Sequence, residues 1–196
     1  AYRPDRPRVG VAAGDRVLDL TAASASLLPE HAGLFADGTL DALLAAGPKA
    51  WARVRAAVTE WLVEQGGDRL RPGLLVSRAD ARMRLPFAVA DYVDFYASEH
   101  HAANLGRILR PGTDPLTPNW RHMPIGYHGR AGTVVVSGTP VTRPRGQLRA
   151  ADGSVAYLPS RRLDFEAELG FVVGTPSVPG RPVPLAEAGR HLFGVC

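Results

Sequence analysis

Short stretches in which apolar and polar residues alternate open the chain. Arg8-Val9-Gly10-Val11 and Arg16-Val17-Leu18-Asp19-Leu20 flank Ala12-Ala13-Gly14-Asp15, whose Gly-Asp pair carries turn chemistry, so a β-hairpin is expected. The period then lengthens to three and four. Thr39 can cap a short helix through Ala46 that Gly47 closes. Pro48 opens a second helix on which Trp51, Val54, Val58, Trp61 and Leu62 form one stripe, the spacing of a core face rather than of a ligand cage. Over residues 66–86 glycine, arginine and proline dominate and periodicity is weak, which predicts a connection and a domain boundary near Leu85. Residues 1–84 are thus expected to form one domain and residues 85–196 to begin another. In the second part, residues 91–110 mix aromatics, carboxylate and histidines, residues 111–130 read as an irregular loop, and a β-rich region is expected to begin at residues 133–136.

The strictest alternation lies in Leu163-Asp-Phe-Glu-Ala-Glu-Leu-Gly-Phe-Val-Val173. A strand is expected, with its odd, apolar positions on a buried face and Asp164, Glu166 and Glu168 on the other, neighbours about 7 Å apart. Carboxylates at that spacing repel one another unless positive charge intervenes. Two sources can supply it: Arg161 and Arg162 beside a solvent-facing strand, or a hard divalent cation, for which oxygen ligands select Ca2+ or Mg2+ over zinc. A cation site would draw a further carboxylate from elsewhere, and Asp94 is the best candidate in this chain.

Four of the six histidines, His100, His101, His122 and His128, fall close together, among Asp94, Tyr96, Arg110 and Tyr127. Ser98 can cap a helix running toward Leu109. On it His101, Asn104, Leu105 and Ile108 would share a face, placing His101 on the packed side and His100 elsewhere. A histidine so placed can equally be a satisfied core residue, and two adjacent histidines without cysteine partners make a poor zinc pattern.

Composition narrows the classes of function. A net charge of +4 raises the question of nucleic acid, but the basic residues are scattered and no basic, aromatic-interleaved stripe appears, so no nucleic-acid partner is expected. The one cysteine, Cys196, excludes an internal disulfide framework and a thiolate zinc site. No run approaches the roughly 18 apolar residues of a membrane span, and the first ten residues are unlike a signal peptide, so a cytoplasmic protein without membrane association is expected.

Two segments carry a resemblance. Asp91-Tyr-Val-Asp-Phe-Tyr-Ala-Ser-Glu-His-His-Ala-Ala-Asn-Leu-Gly106 and Pro118-Asn-Trp-Arg-His-Met-Pro-Ile-Gly-Tyr-His-Gly-Arg130 resemble the fumarylacetoacetase family, and the likeness continues through Val134-Val-Val-Ser-Gly-Thr-Pro140 and Leu163-Asp-Phe-Glu-Ala-Glu-Leu169. The resemblance implies a mostly β fold with some α: a small SH3-like N-terminal barrel domain with helices in residues 1–84, then the first part of a β-rich catalytic domain in 85–196. It implies metal ligands at Asp94, Glu166 and Glu168, a general base at His101, and substrate contacts at Tyr96, Arg110 and Tyr127. Asp164 is then a neighbour only, and His100, His122 and His128 receive no role. The implied reaction is hydrolysis of the carbon-carbon bond of 4-fumarylacetoacetate, a dicarboxylic β-diketo acid, to fumarate and acetoacetate in tyrosine and phenylalanine catabolism. Ca2+ is the implied cofactor, with Mg2+ as the alternative, and the full-length enzyme is implied to be a homodimer.

Measured against the family, the sequence is expected to stop about halfway, at Cys196 within an apolar, strand-like run. The polypeptide alone is therefore expected to be inactive and poorly soluble, because interrupted β-structure leaves unpaired edges and uncovered apolar faces. Two other readings compete: a related Mg2+-dependent hydrolase of another 1,3-dicarbonyl acid, and a non-catalytic fragment.

Overall fold

A computed structural model describes residues 6–64 and 73–196, which divide into two compact units. One comprises Ala1–Phe87 with Val136–Cys196, the other Ala88–Val135.

In the first unit, β1 (Gly10–Ala13) and β2 (Arg16–Asp19) form the expected hairpin around a two-residue turn, Gly14-Asp15, so Ala12 and Ala13 belong to the strand rather than the turn. Helix α1 (Leu20–Leu27) follows directly, because Asp19 ends the strand and caps the helix: its Oδ1 accepts the Ala22 N–H at 3.0 Å, while its Oδ2 lies 2.7 Å from Arg8 Nε. A 3-10 turn, Pro29–Phe35, leads to α2 (Asp41–Glu64). Gly47 breaks α2 with φ 80° and ψ 179°, a conformation suited to glycine, and Pro48 restarts the helix where its missing N–H costs nothing. Trp51 bridges the break, its indole N–H donating to the Leu43 carbonyl at 2.7 Å. The core gathers Leu18, Leu20, Leu28 and Phe35 with Leu43, Val54 and Val58 of α2, and Trp51, Trp61 and Leu62 pack at its margin. The stripe on α2 is thus a packing face.

The connecting region contains a strand that weak periodicity concealed: β3 (Leu75–Ser77) pairs with β2, Val17 opposite Val76. Residues 65–72 of that region lie outside the described residues. Among the described residues the sheet β1-β2-β3 does not close into the expected SH3-like barrel. Helical segments account for about 34% of the described residues and strands for about 19%, so the chain is mixed rather than mostly β.

In the second unit β4 (Val93–Phe95) is followed by α3 (Glu99–Leu109) and then by β5 (Gly126–His128), which pairs with β4 inside what was expected to be an irregular loop. The first unit resumes with the antiparallel pairs β6 (Arg145–Arg149) with β7 (Val155–Pro159), and β8 (Phe171–Val173) with β9 (Leu192–Val195). No strand begins at residues 133–136; a 3-10 turn, Ala131–Thr133, stands there. The strand expected over residues 163–173 forms only as β8. Its ladder ends where the Gly170 and Cys196 backbones exchange two 2.9 Å hydrogen bonds, and residues 163–169 before it form no regular element. The apolar positions expected to be buried there are exposed, Phe165 by 89%.

Candidate active site

In the second unit, register creates the central pairing. Asp94 on β4 lies opposite Tyr127 on β5, so both side chains leave the ladder on the same face, and the Tyr127 hydroxyl donates to Asp94 Oδ2 at 2.8 Å. The ladder continues past both strands, through the Gly129 N–H on the Tyr92 carbonyl (2.9 Å) and the Tyr96 N–H on the Ile125 carbonyl (3.3 Å). Alternation keeps Tyr92, Asp94 and Tyr96 half-buried while Val93 and Phe95 are exposed.

The helix carrying His101 forms as expected, with the Ser98 Oγ accepting the His101 N–H at 3.5 Å, but its packed side differs. Ala102, Ala103 and Gly106 are buried, whereas His101, Asn104 and Ile108 are exposed. Close approach decides this. The Pro115 carbonyl occupies the space a Cβ at Gly106 would need, so the helix turns its small residues toward the following loop. His101 is left beside Tyr96, ring centroids 6.1 Å apart and planes at 90°. An imidazole in that position is exposed to solvent.

Arg110 caps the other end of α3, nine positions or roughly 14 Å of helix axis beyond His101. Its Nη2 donates to the Pro115 carbonyl at 2.9 Å, so the guanidinium turns toward its own loop. Glu166 and Glu168 belong to the other unit, in the exposed segment before β8. The all-carboxylate set Asp94, Glu166 and Glu168 is chemistry for a hard cation. Among the described residues, however, no three His, Cys, Asp or Glu side chains gather as a ligand group.

Polar contacts outside the expected set surround the ladder. His128 Nδ1 lies 3.1 Å from Asp91 Oδ1, and this hydrogen bond, followed by one from the Tyr92 N–H, holds the Asp91 carboxyl below the usual carboxylate range. The Trp120 indole N–H donates to the Tyr96 carbonyl at 3.2 Å, and Arg121 forks onto Glu99. Trp120 and Arg121 stand in a quoted motif, yet their partners lie more than twenty residues upstream, a pairing that periodicity within one sequence does not signal.

A family model described as "Fumarylacetoacetase N-terminal" matches residues 2–86, and one described as "Fumarylacetoacetate (FAA) hydrolase C-terminal" matches residues 91–196. The chain is 42% identical over 201 residues to a fumarylacetoacetase of Bos taurus and 41% identical over 200 residues to that of Homo sapiens, covering 97% of this chain and 48% of each relative. A fumarylacetoacetase of Oryza sativa is 41% identical over 203 residues, 98% of this chain and 47% of the relative. The chain belongs to the fumarylacetoacetate hydrolase family. It spans about half the length of the curated relatives it matches. No described helix is long and apolar enough to cross a membrane.

Proposed function

We propose that this chain carries the general base and part of the substrate- and cation-binding apparatus of a fumarylacetoacetase, which hydrolyses 4-fumarylacetoacetate to fumarate and acetoacetate. One observation supports the reading most: within the stretch that matches the family, Tyr127 is hydrogen-bonded to Asp94, and the ring of His101 stands against Tyr96 two residues along the same strand face. The reaction adds water to a carbonyl and expels an enolate-like carbon group. An imidazole is the side chain best suited to take a proton from water near neutral pH, and His101 supplies one. Tyr96 and Tyr127 offer directed hydroxyls, and Arg110 offers paired donors for a carboxylate end of the substrate once it leaves the Pro115 carbonyl. Ca2+, or Mg2+ in its place, would be held by Asp94, Glu166 and Glu168 and would supply charge neutralisation for the departing enolate. The family also suggests an SH3-like N-terminal barrel, a cytoplasmic homodimer, and a place in tyrosine and phenylalanine catabolism.

The activity is proposed for a polypeptide of the relatives' full length, and none is expected from the 196 residues alone. In the extended protein, His101→Ala should lower kcat on the order of 10²–10⁴-fold, followed through the absorbance of fumarylacetoacetate. Unchanged turnover would remove His101 as the base. Faster turnover of acylpyruvates than of fumarylacetoacetate by the parent enzyme would point instead to the related 1,3-dicarbonyl hydrolases. Calorimetric Ca2+ titration of Glu166→Ala and Glu168→Ala should show weakened binding, and unaltered affinity would exclude both as ligands.

A further inference from the structure

We propose that Trp120 and Arg121 are positioning residues for His101, clamping the joint between β4 and α3 from a single turn. The joint is Tyr96, Ala97 and Ser98, between the last residue of the strand and the first of the helix. Its direction decides where the first turn of α3, and with it the His101 imidazole, points. On the strand side the Trp120 indole N–H donates to the Tyr96 carbonyl at 3.2 Å, and Trp120 is itself an anchored side chain, only 8% exposed. On the helix side Arg121 presents Nη2 to Glu99 Oε1 at 2.7 Å and Nη1 to Oε2 at 3.0 Å. Such a fork fixes orientation as well as distance. The turn that carries both side chains is itself tied, by the Trp120 N–H on the Thr117 carbonyl (3.0 Å) and the His122 and Met123 N–H groups on the Asn119 carbonyl (3.0 and 2.9 Å). Two adjacent side chains therefore hold the backbone at position 96 and the helix at position 99.

Exposure separates this role from a general contribution to stability. The Glu99 and Arg121 side chains are 50% and 65% exposed, and ion pairs so placed contribute little to folding. What the fork supplies is direction. A base displaced by about 1 Å can lose on the order of a hundredfold in rate.

The inference rests on His101 being the base, and its test has two arms. In the extended enzyme Arg121→Gln and Trp120→Phe should each lower kcat by roughly 10- to 100-fold with KM little changed, and Arg121→Gln should also leave the unfolding midpoint little changed. Arg121→Lys, which keeps the charge but loses the fork, should recover part of the loss. Glu99→Gln combined with Arg121→Gln should be no slower than either alone, because both remove one contact. Wild-type kcat in Arg121→Gln and Trp120→Phe, in an enzyme that His101→Ala does slow, overturns the clamp. The second arm needs no turnover: in the extended enzyme the Tyr96 ring current should shift the His101 ring protons in NMR spectra, and Arg121→Gln should move those resonances. Resonances that stay in place overturn the clamp. If His101→Ala leaves turnover intact, it is the base assignment that fails, and the clamp stands or falls on the resonances.

Discussion

The N-terminal core and the β4-α3-β5 unit are held together by different physics. In the first, Leu18, Leu28 and Phe35 are completely buried and α2 lays an apolar stripe across them. In the second, the buried hydrophobic residues are Ala102, Ala103 and Trp120, and the named contacts are a phenol on a carboxylate, an indole on a carbonyl and a guanidinium fork. Burial is non-directional and gives stability. Directional bonds between half-exposed groups contribute less free energy but set angles, which is what a reacting group requires. Substitutions should accordingly act on folding in one region and on geometry in the other.

The largest effect is expected from Phe35→Ala, which empties a fully buried site and should cost about 3–5 kcal/mol in denaturant unfolding. A loss below about 1 kcal/mol would mean that the core is not packed as described. Next comes Asp19→Ala, which removes both the cap of α1 and the partner of Arg8; roughly 1–2 kcal/mol is expected by the same measurement. Tyr127→Phe deletes one half-exposed hydrogen bond in the second unit and should cost only about 0.5–1.5 kcal/mol. A cost equal to that of Phe35→Ala would erase the distinction between the two regions. The smallest effect concerns pH. The Asp91 carboxyl titrates below the ordinary 3.8, so its contribution is complete above that value and is lost as pH falls through the lowered one. His128→Ala should move the Asp91 midpoint upward in carbon-13 NMR titration, and an unmoved midpoint would deny the hydrogen bond.

Local rules made part of this legible beforehand. The first hairpin, the Gly47-Pro48 break and the Ser98 cap each depend on a few consecutive residues, and each forms where those residues stand. Features that need a distant partner were harder to read. β3 has little pattern of its own and exists because β2 offers an edge. Residues 163–169 have a strict pattern yet form no strand, and their apolar positions are exposed. On α3 the apolar residues suggested one packed side, and the close approach of Pro115 to Gly106 chose the other. The roles given to the site residues rest on resemblance, and the contacts of Trp120 and Arg121 with the β4-α3 joint had no signal in the sequence.

Phe193, in the last strand, stands edge-on to Trp51 with ring centroids 5.3 Å apart. Trp51 and Phe193 lie far apart along the sequence, so this aromatic contact closes a long loop. Bringing such distant residues together costs loop-closure entropy, and Trp51 fluorescence can serve as a clock for when the loop shuts.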